Sequence, residues 1–164
     1  MKFKRPRQAA PPDPVIMQEP FFTGGKAARV LVAHSDEALR AAIASRLKEK
    51  GFTVMEAAGA GELGEHVSAL ADVCGAAPAV DAVIAHSAMP GLSGLHVLRA
   101  LRSSGCSTPV ILIMARDDDE TRDRALFLGA AAVFVEPVIL EHLLIALINV
   151  TRTFPAAGDR TMRL

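Results

Sequence analysis

The sequence has no surplus of either charge: 18 Lys and Arg stand against 18 Asp and Glu in 164 residues. Without a net field there is no general attraction to a nucleic-acid backbone or an anionic membrane surface, so any partner must be recognised locally. Cysteine is scarce, with only Cys74 and Cys106 and neither C-x-x-C nor metal-type spacing. That argues against a disulfide scaffold or a cysteine metal site, and reduced thiols in a cytoplasmic protein are the expectation. No apolar run reaches the length of about 18 residues that a membrane helix needs. The basic start passes straight into Ala9-Ala10-Pro11-Pro12-Asp13-Pro14 without an apolar segment, so no secretion signal is expected either.

What is present is enough apolar side chain, 51% of the residues, for one buried core. Residues 1–27 carry Pro6, Pro11, Pro12, Pro14, Pro20 and Gly24-Gly25 without periodicity and read as an extended, disordered arm. Its basic cluster (Lys2, Lys4, Arg5, Arg7) has only Phe3 beside it for stacking, so no nucleic-acid role is assigned.

From Arg29 the pattern alternates. "RVLVA" is a short apolar run, and "SDEALRAAIASRLKEKG" places Leu39, Ala42, Ile43 and Leu47 at helical spacing, with Ser35 able to cap the helix and Gly51 to end it. The later pairs are "FTVMEA" with "GELGEHVSALADVC", "VDAVIAH" with "GLHVLRALRSSG", "PVILIMA" with "DDDETRDRALFLG", and "AAVFVEP" with "EHLLIALINVTR". Continuous apolar strands belong to a parallel sheet covered on both faces, so the class is α/β, doubly wound, over residues 28–151. Residues 152–164 are too short to fold alone, and no output domain is expected in them. In such sheets functional groups gather at the carboxyl ends of the strands. A His-Ser pair stands at two of those ends, His34-Ser35 and His86-Ser87.

The stretches "VLVAHSDEALRAAI", "DAVIAHSAMPGLSGLHVLRALR", "TPVILIMA" and "ALFLGAAAVFVEP" resemble the receiver domain of bacterial response regulators, most diagnostically through the M-P-G-x-x-G loop and the Glu136-Pro137 pair. The resemblance implies a flavodoxin-like (βα)5 fold with strand order 2-1-3-4-5, a cis Glu136–Pro137 bond, and a role in two-component signalling rather than as an enzyme. It also implies where the family's phosphorylation site falls here. The acidic pair that holds Mg²⁺ falls on His34 and Ser35, the phosphoacceptor aspartate on His86, and the residue whose carbonyl ligates the metal on Ala88. The hydroxyl residue falls on Met114, the aromatic switch on Val133 and the lysine on Glu136. Every side-chain component is replaced, which marks the chain as a degenerate receiver.

Phosphoryl transfer to aspartate needs a carboxylate nucleophile, a cation and a lysine to neutralise the transferring oxygens. Glu136 supplies charge of the wrong sign; at about 4 Å, like charges repel by about 4 kcal/mol at an effective dielectric of about 20. No cofactor is therefore expected. Two imidazoles and a carboxylate could instead form a ligand set for Zn²⁺ or another transition ion, so a metal or small-ligand sensor using His34, His86 and Glu136 is the alternative reading. Against it stands a simple hydrogen-bonded cluster in which the histidines meet Glu136 and Ser35. The leading reading is a stand-alone, phosphorylation-independent interaction module whose partner is a histidine kinase, a phosphotransferase, another receiver or a second copy. The last helix is apolar beyond one stripe, and Leu144 and Ile148 are its candidate interface residues, expected to be exposed.

Overall fold

A computed structural model describes residues 27–73 and 80–153, so the arm before residue 27, Cys74 and the tail after residue 153 lie outside the described residues. Within them the chain alternates strand and helix as β1 (Arg29–Ala33), α1 (Glu37–Glu49), β2 (Thr53–Ala57), α2 (Ala60–Val73), β3 (Ala82–His86), α3 (Gly94–Ser103), β4 (Val110–Met114), α4 (Asp119–Phe127), β5 (Ala132–Val135) and α5 (Leu140–Thr153). The strands form one parallel sheet in the order β2-β1-β3-β4-β5. That is the order the resemblance implied.

Two-residue periodicity divides the core. Leu31, Ala33, Val83, Ala85 and Val110 face the cluster that α2 and α3 complete with Leu63, Val67, Val97, Leu98 and Leu101. Their neighbours Val30, Val32, Ile84, Ile111 and Ile113 pack instead on Ile43 and Leu47 of α1 and Leu143, Leu144 and Leu147 of α5. Strands buried on both faces need no polar alternation, which is why β3 and β4 are buried at every position. The edge strand β5 is only half buried throughout.

Three expectations are corrected. Asp36, one residue after Ser35, caps α1, its side chain accepting the Leu39 N–H; Ser35 itself is exposed. Leu144 is 7% exposed and belongs to the core, and Ile148 packs against the same cluster. The broad apolar face of α5 covers the sheet near its edge, and Ile145, at 56%, is its exposed large apolar residue. Cys106 is disulfide-bonded rather than a reduced thiol. It follows α3, which shares one face of the sheet with α2, a proximity that cysteine spacing does not reveal.

Candidate functional site

Backbone ladders carry the sheet one residue past the strand ends and so fix the site. His34 N–H donates to Ala57 O at 3.2 Å, Ser87 N–H to Ile113 O at 2.7 Å and Glu136 N–H to Met114 O at 2.8 Å. Because β1 pairs with β3 (Ala33 opposite Ala85), the next residue of each strand brings His34 beside His86, with ring centroids 4.4 Å apart. Two glycines make the loop after β3 compact. Gly91 adopts φ +86°, and at Gly94 a Cβ would lie 2.5 Å from Leu112 Cδ1 and 2.7 Å from His86 O, so α3 starts close under the end of β3.

Glu136, after β5 and before a cis Glu136–Pro137 bond, reaches across β4 to both imidazoles. His34 Nε2 lies 2.9 Å from Glu136 Oε1 in a hydrogen bond. His86 Nε2 lies 3.3 Å from the same oxygen but is out of line for a hydrogen bond, so it is a buried polar atom with a close charge and no hydrogen-bond partner. The histidines are 4% and 6% exposed. Burial, then the neighbouring His34, hold the His86 imidazole below its ordinary range, while Glu136 pulls the other way.

The other ring nitrogens decide the proton positions. Asp36 N–H donates to His34 Nδ1 at 2.9 Å, and Ala88 N–H donates to His86 Nδ1 at 3.2 Å. A nitrogen that accepts a hydrogen bond carries no proton, so in each neutral ring the proton sits on Nε2. Each histidine thus does what an Asp or Asn side chain does in an Asx turn, accepting the amide two residues on. The two His-Ser pairs therefore open two like turns, with Ser35 and Ser87 as the spacer residues.

That chemistry bears on metal binding. The side-chain nitrogens and carboxylate oxygen of His34, His86 and Glu136 lie within 4.8 Å of one another, close enough for a shared ion. Yet a metal would need the Nε2 lone pairs, and moving each proton to Nδ1 would turn it against a backbone N–H. Ligating histidines ordinarily donate their second nitrogen to an acceptor; here that nitrogen faces a donor. No carboxylate remains at the acidic-pair positions either, so the residues present do not fit the Mg²⁺ of the receiver family.

The coupling positions lie beside this cluster. Met114 is 1% exposed and packs with Leu112, Ala125, Leu95, Val133 and Val135 in one apolar cluster under α4. No hydroxyl stands at position 114 and no aromatic ring at 133. Ser35 takes no part in the cluster the sequence assigned it to, while Asp36 and Ala88 contribute through their amides. Arg40 was missed as well: its Nη1 donates to His34 O at 2.8 Å, and only its place one turn into α1 hinted at that. His96 and His142 are exposed on α3 and α5, and His66 is half-buried on α2, all apart from the site.

A model of the response regulator receiver domain matches residues 30–148. Among curated proteins the chain is 35% identical over 138 residues to response regulator MprA of Mycobacterium bovis, covering 82% of this chain and 56% of that one. It is 36% identical over 116 residues to response regulator MprA of Mycobacterium ulcerans, covering 71% and 47%. The chain thus spans about half the length of the curated relatives it matches. Among solved structures, chemotaxis response regulator CheY4 of Vibrio cholerae superposes with a TM-score of 0.61 at 27% identity, covering 76% of this chain and 98% of that one. A receiver protein from Pseudomonas putida reaches 0.66 at 24% identity, with the same 76% and 98% coverage, and supports the fold alone.

Proposed function

The chain belongs to the response regulator receiver domain family, and we propose that it serves two-component signalling as a protein-interaction module whose output does not depend on phosphorylation. One observation carries this reading: the carboxylate of Glu136 sits against the imidazole of His86, where a receiver of this family needs an aspartate and a lysine. An aspartyl phosphate has no nucleophile there, and charge on a transferring oxygen would meet a carboxylate instead of an ammonium group. The apolar packing of Met114 with Val133 supports the same conclusion, since neither side chain can relay a hydrogen-bond change to α4.

The interaction surface follows from the edge strand. Leu126 and Phe127 of α4 are 52% and 91% exposed, and Ile139 and Ile145, before and within α5, are 55% and 56% exposed. α4 packs on one face of β5 and α5 on the other, so the edge strand carries exposed apolar side chains on both its helices, which suits a protein partner: a histidine kinase, a phosphotransferase, another receiver or a second copy. No nucleic acid, membrane or cofactor is part of this reading. No helix among the described residues is long and apolar enough to cross a membrane. The sensor alternative is weaker because the proton positions oppose a metal.

The test is sedimentation of the chain, alone and with a candidate kinase, with and without acetyl phosphate and Mg²⁺. Association is expected to be unchanged by the phosphodonor and weakened by Phe127→Glu or Ile145→Glu. Association that appears or disappears with phosphodonor would overturn the proposal.

A further inference from the structure

We propose that His34, His86 and Glu136 form an acid-sensitive latch, in which a proton taken up by either imidazole breaks a backbone hydrogen bond and opens one of the two turns at the carboxyl end of the sheet. The inference stands on hydrogen-bond geometry and does not depend on the signalling role.

Each neutral ring already holds its proton on Nε2, hydrogen-bonded to Glu136 in His34 and close to the same oxygen but out of line in His86. An incoming proton therefore has only Nδ1 to occupy. That atom accepts the Asp36 amide in His34 and the Ala88 amide in His86, at 2.9 and 3.2 Å. Once Nδ1 is protonated, donor faces donor at hydrogen-bond distance and the amide must leave. The Asp36 amide belongs to the N-cap residue of α1, so its release moves the start of that helix. The Ala88 amide belongs to the loop whose next residue, Met89, is 5% exposed and packed in the core, so its release loosens the β3–α3 connection.

The charges around the rings limit the response to one proton. From the end of β5, Glu136 favours an imidazolium on either ring. From α1, Arg40 opposes it: its Nη1 donates to His34 O and its Nε lies 3.4 Å from Glu56 Oε1 at the β2 edge. In the β1–α1 turn, the Asp36 carboxylate is engaged with Leu39 N–H. The end of β4 contributes only the apolar Met114. With the rings 4.4 Å apart, a first imidazolium repels a second, so one turn opens and the other stays closed. Burial of His86 keeps its own turn closed near neutrality.

The experiment is an NMR titration of the ¹⁵N-labelled full chain from about pH 8 to about pH 5, spanning the histidine range, following the ring nitrogens together with the Asp36 and Ala88 amides. At the upper end both rings are expected as Nε2–H tautomers. On acidification one ring is expected to gain its Nδ1 proton, and the amide facing it to shift and lose protection with the same midpoint. An Nδ1–H tautomer at neutral pH would overturn the proposal, as would ring protonation that leaves both amides in place. Zn²⁺ added at neutral pH is expected to shift neither ring, and a saturable shift of both would overturn it too. In the double variant His34→Asn, His86→Asn, each side-chain oxygen can accept the same amide without titrating. Its two amides should be insensitive to pH over the same range, and a retained acid response would refute the latch independently of the wild-type titration.

Discussion

Two clusters lie side by side at the carboxyl end of one sheet. At the ends of β1, β3 and β5, three ionisable side chains meet around a single carboxylate oxygen. At the ends of β4 and β5, under α4, Met114 packs among aliphatic side chains. In the receiver family the first position holds the reacting groups and the second carries the signal outward. Here the first has kept polar chemistry with its proton positions fixed by backbone amides, while the second has lost every side-chain polar atom. Replacing residues at a site thus has two different consequences. A polar cluster can be rebuilt with other donors and acceptors and, in the latch proposed above, respond to protons, whereas the apolar cluster holds no group that titrates or switches a hydrogen bond.

The sharpest way to separate the clusters is to give the second a charge. Met114→Asp places a carboxylate among Leu112, Ala125 and Val133 with no donor available, and a loss of about 3–5 kcal/mol is expected. Urea unfolding measures it, and a loss under about 1 kcal/mol would mean that this region is wetter than its packing shows. Removing charge from the first cluster should cost less. Glu136→Ala takes away one hydrogen bond to His34 from a side chain 31% exposed, so a loss of about 1 kcal/mol is expected, and a cost equal to that of Met114→Asp would erase the contrast.

The third contrast is that of pH. The folded chain holds His86 below its ordinary range, so between that lowered value and about 6.5 the unfolded chain binds a proton that the folded chain refuses. Stability is therefore full above about pH 6.5 and is lost as pH falls through that window, with a slope of at most about 1.4 kcal/mol per pH unit. Urea midpoints measured from about pH 8 to 5 check it. The slope should fall in His86→Asn, and an unchanged slope there would place the titrating group elsewhere.

How much of this could be read from the chain itself differs between the same two clusters. The five strands were legible because a strand covered on both faces is a continuous apolar run, as in "VILIM", and β4 falls on those residues. The meeting of His34, His86 and Glu136 was also legible, since residue types at successive strand ends converge once the strand order is known. The tautomers were not, because they depend on backbone amides that carry no side-chain signature; the only trace was the repeated His-Ser pair. Leu144 misled for a related reason. An apolar residue on a broad helical face looks surplus to one stripe, and only the half-buried edge strand, which α5 helps to cover, shows that Leu144 is needed in the core. The Cys106 disulfide was invisible because spacing along the chain does not show which helices share a face of the sheet.

The contrast rests on the proposal that the first cluster supports no phosphoryl transfer, and intact mass spectrometry addresses that directly. The chain is incubated with acetyl phosphate and Mg²⁺, beside a receiver that keeps its aspartate as positive control. The control should gain the mass of one phosphoryl group while this chain stays at its unmodified mass. A stoichiometric phosphoryl adduct on this chain, on His86 or elsewhere in the cluster, would contradict the reading of the site.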